Sequence, residues 1–313
     1  EVPTHFLFLL YMSVPVFYFD YPSIFFRLPG AGLWWQQSKQ GLPDFSHPRH
    51  ILQLLQWDTK VFPGQSRALF RAPPLPESSS QVQLDKCSRC VVVGNGGILR
   101  GLELGPLINQ FDTIIRLNSG PLGEFVADVG NRTSIRMAYP ESTPHLWADS
   151  DPRTLFVAVI YKAVDLNWVS AMIRKAPLWD RLFFWQKVPA QVPIESHRFR
   201  LLNPDVIRET ALDLLKYPPP RSRLLGWDSN IPTLGVTAVT LASLLCDQVS
   251  LAGFGYNLSQ LGWPLHYYDH LAMDAILQQK MHNINRESEL LRSLVKTGTL
   301  SDLTGAIQRL YPS

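Results

Sequence analysis

The stretch CSRCVVVGNGGILRG, Cys87 to Gly101, joins a pair of cysteines to a run of valines and a turn of glycines. Three successive β-branched residues running into glycine suit a buried parallel strand that ends in a tight turn. Glycines at such a turn let backbone amides approach a nucleotide phosphate. A dinucleotide site would need GxGxxG, and Leu99 stands where the third glycine should be. Asp112 lies near the distance expected of a ribose-binding acid, but it opens the next strand-like run instead of closing one. The stretch therefore reads as the glycine turn of a nucleotide-binding fold without the NAD fingerprint.

Its cysteines fit neither of their commonest uses. Tetrahedral zinc takes four ligands, whereas CxxC supplies two, and the one further cysteine, Cys246, comes with no histidine cluster. A thioredoxin-like motif would follow a strand, but Cys90 directly precedes VVVG. A Cys90 to Cys246 bridge and three free core thiols both remain open on cysteine count alone.

Outward from this stretch, short β-branched runs recur at TIIRLN and at LFVAVIY from Leu155, with QVSLAGF later. Helical patterns lie between and after them, at Leu102 to Gln110, Asp205 to Lys216, Leu234 to Leu245 and Arg286 to Lys296, the last closing on a Thr297-Gly298 cap. Strands alternating with helices predict an α/β domain with a mostly parallel sheet flanked by helices. With 313 residues, 46% hydrophobic and 18% charged, the chain can bury a substantial core. A net charge of +3, with no basic cluster denser than Arg221-Ser222-Arg223, gives no nucleic-acid footprint but suits an anionic small substrate.

The N-terminal part differs in kind. The chain begins at Glu1 rather than Met and reads as a fragment. Phe6 to Phe19 is apolar for 14 residues, short of the roughly 20 that span a bilayer, and reaches that length at Phe26 only by including Asp20 and Pro22. Residues 1–26 thus read as an apolar leader or a membrane anchor, and residues 27–81, rich in Pro, Ser and Gln, as a stem or linker before a domain over 82–313. Two NxS/T sequons, at Asn131 and Asn257, are glycosylation candidates on a secretory route. Asp149-Ser150-Asp151 has the form of a metal-holding DxD, but it precedes Pro152 in a polar stretch and reads as a solvated loop.

Four segments in one order resemble the animal sialyltransferases. VVVGNGG, FDTIIRLNSGP and DVGNRTSIRMAYPES, within Cys90 to Pro140, look like the family's large motif, and Ile231 to Tyr256 looks like the small one. His266-Tyr-Tyr-Asp269 resembles the third motif, and the segment from His282 to Glu287 the HxxxxE motif. The resemblance covers Cys87 to Ile307 and implies a modified Rossmann-like domain. It also implies CMP-sialic acid as donor, inversion at the anomeric carbon, no metal or other cofactor, and a lumenal Golgi domain on a single-pass type II anchor. A disulfide between the large and small motifs carries onto Cys90 and Cys246, leaving Cys87 without an evident partner.

Transfer of an anionic sugar from a phosphate leaving group to a hydroxyl needs a base and charge compensation at the phosphate. By motif match His282 is the candidate base, Glu287 an orienting or structural carboxylate, and His266 a donor to the departing phosphate. Asn95, Asn118, Thr233, Gly235, Gly253 and Gly255 match donor-binding positions, while Tyr267 and Tyr268 read as packing residues. Leu234 stands where many relatives carry a small hydroxyl residue. Within the family, HYYD and LAGFGY point to the α2,3 branch acting on the 3-hydroxyl of terminal galactose. DLNWVSAMIRKAPLWDRLFFWQKV, GILRGLELG and Asp269 resemble the members acting on lactosylceramide at a membrane surface, with exposed aromatics expected from Leu178 to Trp185. VGNGG and NIPTLG also resemble the N-acetyllactosaminide enzymes. An inactive family-like binding protein is a third reading, which the intact histidines oppose.

Overall fold

Each strand sorts its side chains onto two faces by the two-residue alternation of extended backbone. In β1 (Arg89–Val93), Cys90 and Val92 enter one apolar cluster and Val91 and Val93 another. In β2 (Thr113–Leu117), Ile115 and Leu117 join the first and Ile114 the second. A strand buried on both faces needs a helical layer on each, which is why β1 is apolar from Cys90 to Val93.

The computed structural model describes residues 89–144, 149, 151–175, 177–178, 184–192, 194–195, 198–218, 231–256, 260–279 and 281–309. The expected leader, anchor and stem, Cys87 and the Asn257 sequon lie outside these residues. No helix among the described residues is long and apolar enough to cross a membrane.

The remaining strands are β3 (Ile135–Ala138), β4 (Leu155–Ala158), β5 (Phe199–Leu201), β6 (Gln248–Ala252) and β7 (Leu300–Asp302). They form one sheet in the order β5-β4-β3-β2-β1-β6-β7, every pairing parallel. The α/β parallel-sheet expectation is met. β1 lies between β2 and β6, with Val91 opposite Ile114 on one side and Ser250 on the other. Chain progression reverses there, the kind of switch point beyond whose strand ends α/β sheets bind ligands.

The helices, in chain order, are α1 (Gly105–Ile108), α2 (Val126–Val129), α3 (Ala163–Arg174), α4 (Pro204–Arg208), α5 (Leu234–Leu245), α6 (Ala275–Gln278), α7 (Ile284–Lys296) and α8 (Ala306–Arg309). α5 packs across β1, β2, β3 and β6. Its mostly apolar surface matches that central position. The Cys90–Cys246 disulfide, with Cα atoms 5.9 Å apart, ties β1 to the residue that ends α5.

Several boundaries differ from the sequence reading. The helix expected over Leu102 to Gln110 shrinks to α1, since Gly105-Pro106 sets its start and Leu102 and Leu107 are exposed. The helix expected from Asp205 starts at Pro204, with Asn203 Oδ1 accepting from the Asp205 N–H, and widens to a π-helix over Glu209–Leu214. α7 starts at Ile284, two residues before the expected Arg286, because Asn283 caps it through the Arg286 N–H. Thr297 ends that helix and Gly298 turns left-handed at φ +76°. β3, β5, β7 and α3 were not read from the sequence as separate elements.

Candidate active site

The glycine turn after β1 and the loop after β6 are built against each other. The Gly94 N–H donates to the Ala252 carbonyl at 2.8 Å and the Gly96 N–H to the Gly253 carbonyl at 3.1 Å. A Cβ at Gly94 or Gly96 would lie 2.6 Å from the Gly253 oxygen, so side chains are excluded by the approach itself. Gly253 and Gly255 have φ of +74° and +100°, a region open to glycine. Leu99, where a dinucleotide fold has its third glycine, is fully buried, and its Cδ1 would lie 2.5 Å from a Cβ at Gly253.

The third motif docks onto this turn. Gly96 pairs with His266 in an antiparallel bridge, and the Tyr267 N–H donates to the Asn95 carbonyl at 3.0 Å. The Asn95 amide donates to the Leu117 carbonyl at the end of β2, at 3.4 Å. Asn118, next in chain, sits left-handed at φ +54° with its Oδ1 buried and unpartnered. A buried acceptor without a donor is costly, so it fits a group that a bound ligand would satisfy. His266 donates through Nδ1 to Asp269 at 2.8 Å and stacks on Tyr268 with ring centroids 5.1 Å apart, leaving Nε2 uncommitted. Tyr267 is buried, donates its hydroxyl to the Pro121 carbonyl at 2.7 Å and meets Phe125 edge-on, as a packing residue should.

A second group gathers at the N-terminus of α5. Thr233 caps that helix by accepting from the Val236 N–H. Its own N–H and hydroxyl donate to Glu287 at 2.7 and 2.6 Å. Burial pushes the Glu287 carboxyl up to about 7, against the lowering effect of those two bonds. Leu234 is buried in the core, so its side chain belongs to the fold.

His282 is tied to the same place, because its Nδ1 lies 2.7 Å from the Ile231 carbonyl. A carbonyl only accepts, so Nδ1 carries the proton and Nε2 keeps its lone pair. Gln279 braces the residue further, accepting the His282 N–H at 2.8 Å and donating to its carbonyl at 2.9 Å. Burial pulls the imidazole below its ordinary value, partly countered by the bond to Ile231.

Phe254 links the two groups. Its ring would contact a Cβ at Gly94, 3.3 Å away, and at Gly235, 3.1 Å away. Tertiary structure therefore brings Asn95, Asn118, Gly253, Gly255 and His266 together, sets Thr233, Gly235, His282 and Glu287 beside them, and joins the sets through Phe254. The only hint in sequence is the position of Phe254 between two glycines.

One expectation is corrected. Asp149, read as part of a solvated loop, is buried and grips Arg136 through both oxygens, at 2.8 and 2.7 Å. Arg136 in turn donates to the carbonyls of Asn118 and Gly120 at 3.1 and 3.0 Å. The burial follows from Arg136 lying within β3, a partner that DxD spacing does not reveal. Asp151 does bond locally, accepting from the Arg153 backbone and guanidinium.

Beyond β3 and β4 lies a further charged cluster that the sequence reading missed. Lys162 Nζ lies 2.8 Å from Glu141 and 2.5 Å from Asp165, and its ammonium sits 5.0 Å from the Phe184 ring centroid. Burial raises both carboxyls, and Lys162 opposes the rise. Gln186 donates to the Glu141 carbonyl, so its neighbour Trp185, which is 54% exposed, stands near this cluster. Phe184 and Leu178 are buried, so of the expected exposed aromatics among the described residues of that stretch only Trp185 faces solvent. Asn131 is exposed and exchanges hydrogen bonds with Asn109.

A glycine turn at the switch point of a parallel sheet marks an α/β protein of the nucleotide-binding architecture, and here His266 and His282 each leave Nε2 without a partner among the described residues. The model for glycosyltransferase family 29 (sialyltransferase) matches residues 34–299, and the chain belongs to that family. It is 49% identical over 254 residues to lactosylceramide alpha-2,3-sialyltransferase of Pan troglodytes, covering 80% of this chain and 70% of that one. It is 41% identical over 222 residues to the human CMP-N-acetylneuraminate-beta-1,4-galactoside alpha-2,3-sialyltransferase, covering 71% of this chain and 59% of that one. The chain spans between 60 and 70% of the length of the lactosylceramide relatives it matches. A crystal structure of a mammalian sialyltransferase superposes with TM-score 0.61 at 22% identity, covering 88% of this chain and 86% of that one, a likeness of fold.

Proposed function

We propose that the chain transfers sialic acid from CMP-sialic acid to the 3-hydroxyl of a terminal galactose, that of lactosylceramide, with inversion and without a metal. The carrying observation is the fixed tautomer of His282, whose Nδ1–H is spent on the Ile231 carbonyl so that Nε2 is left as a base. In the proposed step Nε2 takes the proton of the galactose hydroxyl as its oxygen attacks the anomeric carbon of sialic acid. The bond from that carbon to the phosphate oxygen breaks, and CMP leaves with the electron pair. His266, its Nδ1–H committed to Asp269, would carry a second proton on Nε2 to hydrogen-bond the departing phosphate.

Glue for the arrangement comes from Glu287, which holds Thr233 and with it the start of α5. The free amides of that helix start can face the sialate carboxylate. Asn95, Asn118, Gly253 and Gly255 would line the nucleotide. The acceptor assignment rests on the greater identity and coverage with the lactosylceramide relative than with the β-1,4-galactoside one. In this reading the enzyme is Golgi-lumenal on a type II anchor.

A direct competition decides the acceptor. With CMP-sialic acid present, lactosylceramide should be consumed well ahead of free N-acetyllactosamine or a desialylated glycoprotein. Equal consumption passes the assignment to the glycoprotein enzymes. Absence of acceptor-dependent CMP release would favour the inactive binding protein.

A further inference from the structure

Residues 260–279 form a flap that begins beyond β6 and ends beside His282. Its two arms pair through the Met273 N–H to the Trp263 carbonyl at 2.8 Å, Leu265 to Leu271 at 2.6 Å and Asp274 to Leu261 at 3.2 Å. It is fastened to the glycine turn by the Gly96 bridge to His266 and by the Gly97 N–H, which donates to the Leu265 carbonyl at 3.0 Å. Its outer side chains are out of keeping with a water-facing loop. Leu261, Trp263, Leu271 and Leu277 are exposed by 37, 62, 48 and 55%, half of the exposed large apolar side chains among the described residues.

We propose that this flap docks the mouth of the site onto a lipid bilayer, with Trp263 and its leucine neighbours entering the interfacial layer. The proposal rests on the lactosylceramide reading, since a ceramide-borne galactose stays at the membrane and the catalytic histidines must come to it. Tryptophan beside leucine is the side-chain chemistry of the membrane interface. A protein seated on the same residues would cover the entrance that His266 borders. A bilayer that carries the acceptor has no need to leave. Residues 260–279 contain Asp269 and Asp274 but no Lys or Arg, so the contact is apolar rather than a headgroup charge attraction.

The test compares the full chain with its Trp263→Ser/Leu277→Ser variant on two acceptors, lactosylceramide in phosphatidylcholine vesicles and soluble methyl β-lactoside. Expected is a fall of about tenfold in kcat/KM on vesicles, with the soluble lactoside rate unchanged and the vesicle rate insensitive to added salt. An equal fall on both acceptors, or none on vesicles, overturns the proposal. A wild-type dimer lost in the variant would overturn it in favour of a second copy on the flap. If the wild type ignores lactosylceramide, the acceptor reading fails and docking is read separately. Brominated phosphatidylcholine should then quench wild-type fluorescence more than that of Trp263→Phe, and equal quenching sinks the docking itself.

Discussion

Asp149 holds Arg136 by two hydrogen bonds at 2.8 and 2.7 Å with both side chains fully buried, and Arg136 passes that hold to the carbonyls of Asn118 and Gly120. Thr133 donates its hydroxyl to the same carboxylate. A pair buried this completely is worth little against an apolar replacement but costs about 3–5 kcal/mol when one partner is removed. Asp149→Asn should lower unfolding stability on that order in urea titrations. Arg136→Met/Asp149→Leu should recover part of the loss, and an Asp149→Asn protein as stable as wild type would refute the account.

Glu287 gives the fold a pH dependence of known sign. Its carboxyl titrates at about 7 in the folded protein, above the ordinary 4.5, so the folded state binds more protons between those values. Its contribution to stability is full below 4.5 and is lost as pH rises through 7. Between those limits, wild-type stability should decline with pH more steeply than that of Glu287→Gln. Parallel curves would show that Glu287 does not titrate in this window.

For His282 the rate is the readout. Burial holds its pKa below the ordinary 6.5, and in the proposed role it acts as the neutral base. The acid limb of kcat/KM should therefore fall below pH 6.5 rather than at or above it. His282→Ala should lose roughly 10²-fold or more in turnover while CMP binding survives. Near-normal turnover in a folded variant removes it from the role.

The Cys90–Cys246 bridge spans a sequence separation of 156. Cross-linking so long a loop predicts stabilisation on the order of several kcal/mol, though measured values often fall short. Non-reducing peptide mass spectrometry should recover the pair, and Cys90→Ala/Cys246→Ala should unfold at markedly lower denaturant. Two free thiols in the folded protein would contradict the bridge.

Much of the architecture was legible because it rests on local rules. VVVG, TIIRLN and QVSLAGF gave strands since short β-branched and apolar runs bounded by turns belong to sheets covered on both sides. β3 hid from that rule, since IRMA holds one β-branched residue and no sustained apolar run, and its Arg136 is buried through partners the sequence does not reveal, Asp149 and the carbonyls of Asn118 and Gly120. β5 and β7, at three residues each, are too short to show a period and exist as edges laid against β4 and β6. The candidate site was legible as residues named one by one through motif likeness, not as an arrangement.

What the sequence alone determined was the parallel α/β class and the glycine turn, because backbone preference is a property of a residue and its near neighbours; the two histidines were singled out by motif likeness. Tertiary structure decided which nitrogen each histidine leaves open. It set Ile231 against His282 across a sequence gap of 51, Glu287 against Thr233 across 54, and Asp149 against Arg136 beneath Asn118. Those choices are fixed by hydrogen bonds that must be made wherever polar groups are buried. Their partners are selected by the packing of the whole sheet and its helices, which no local pattern records.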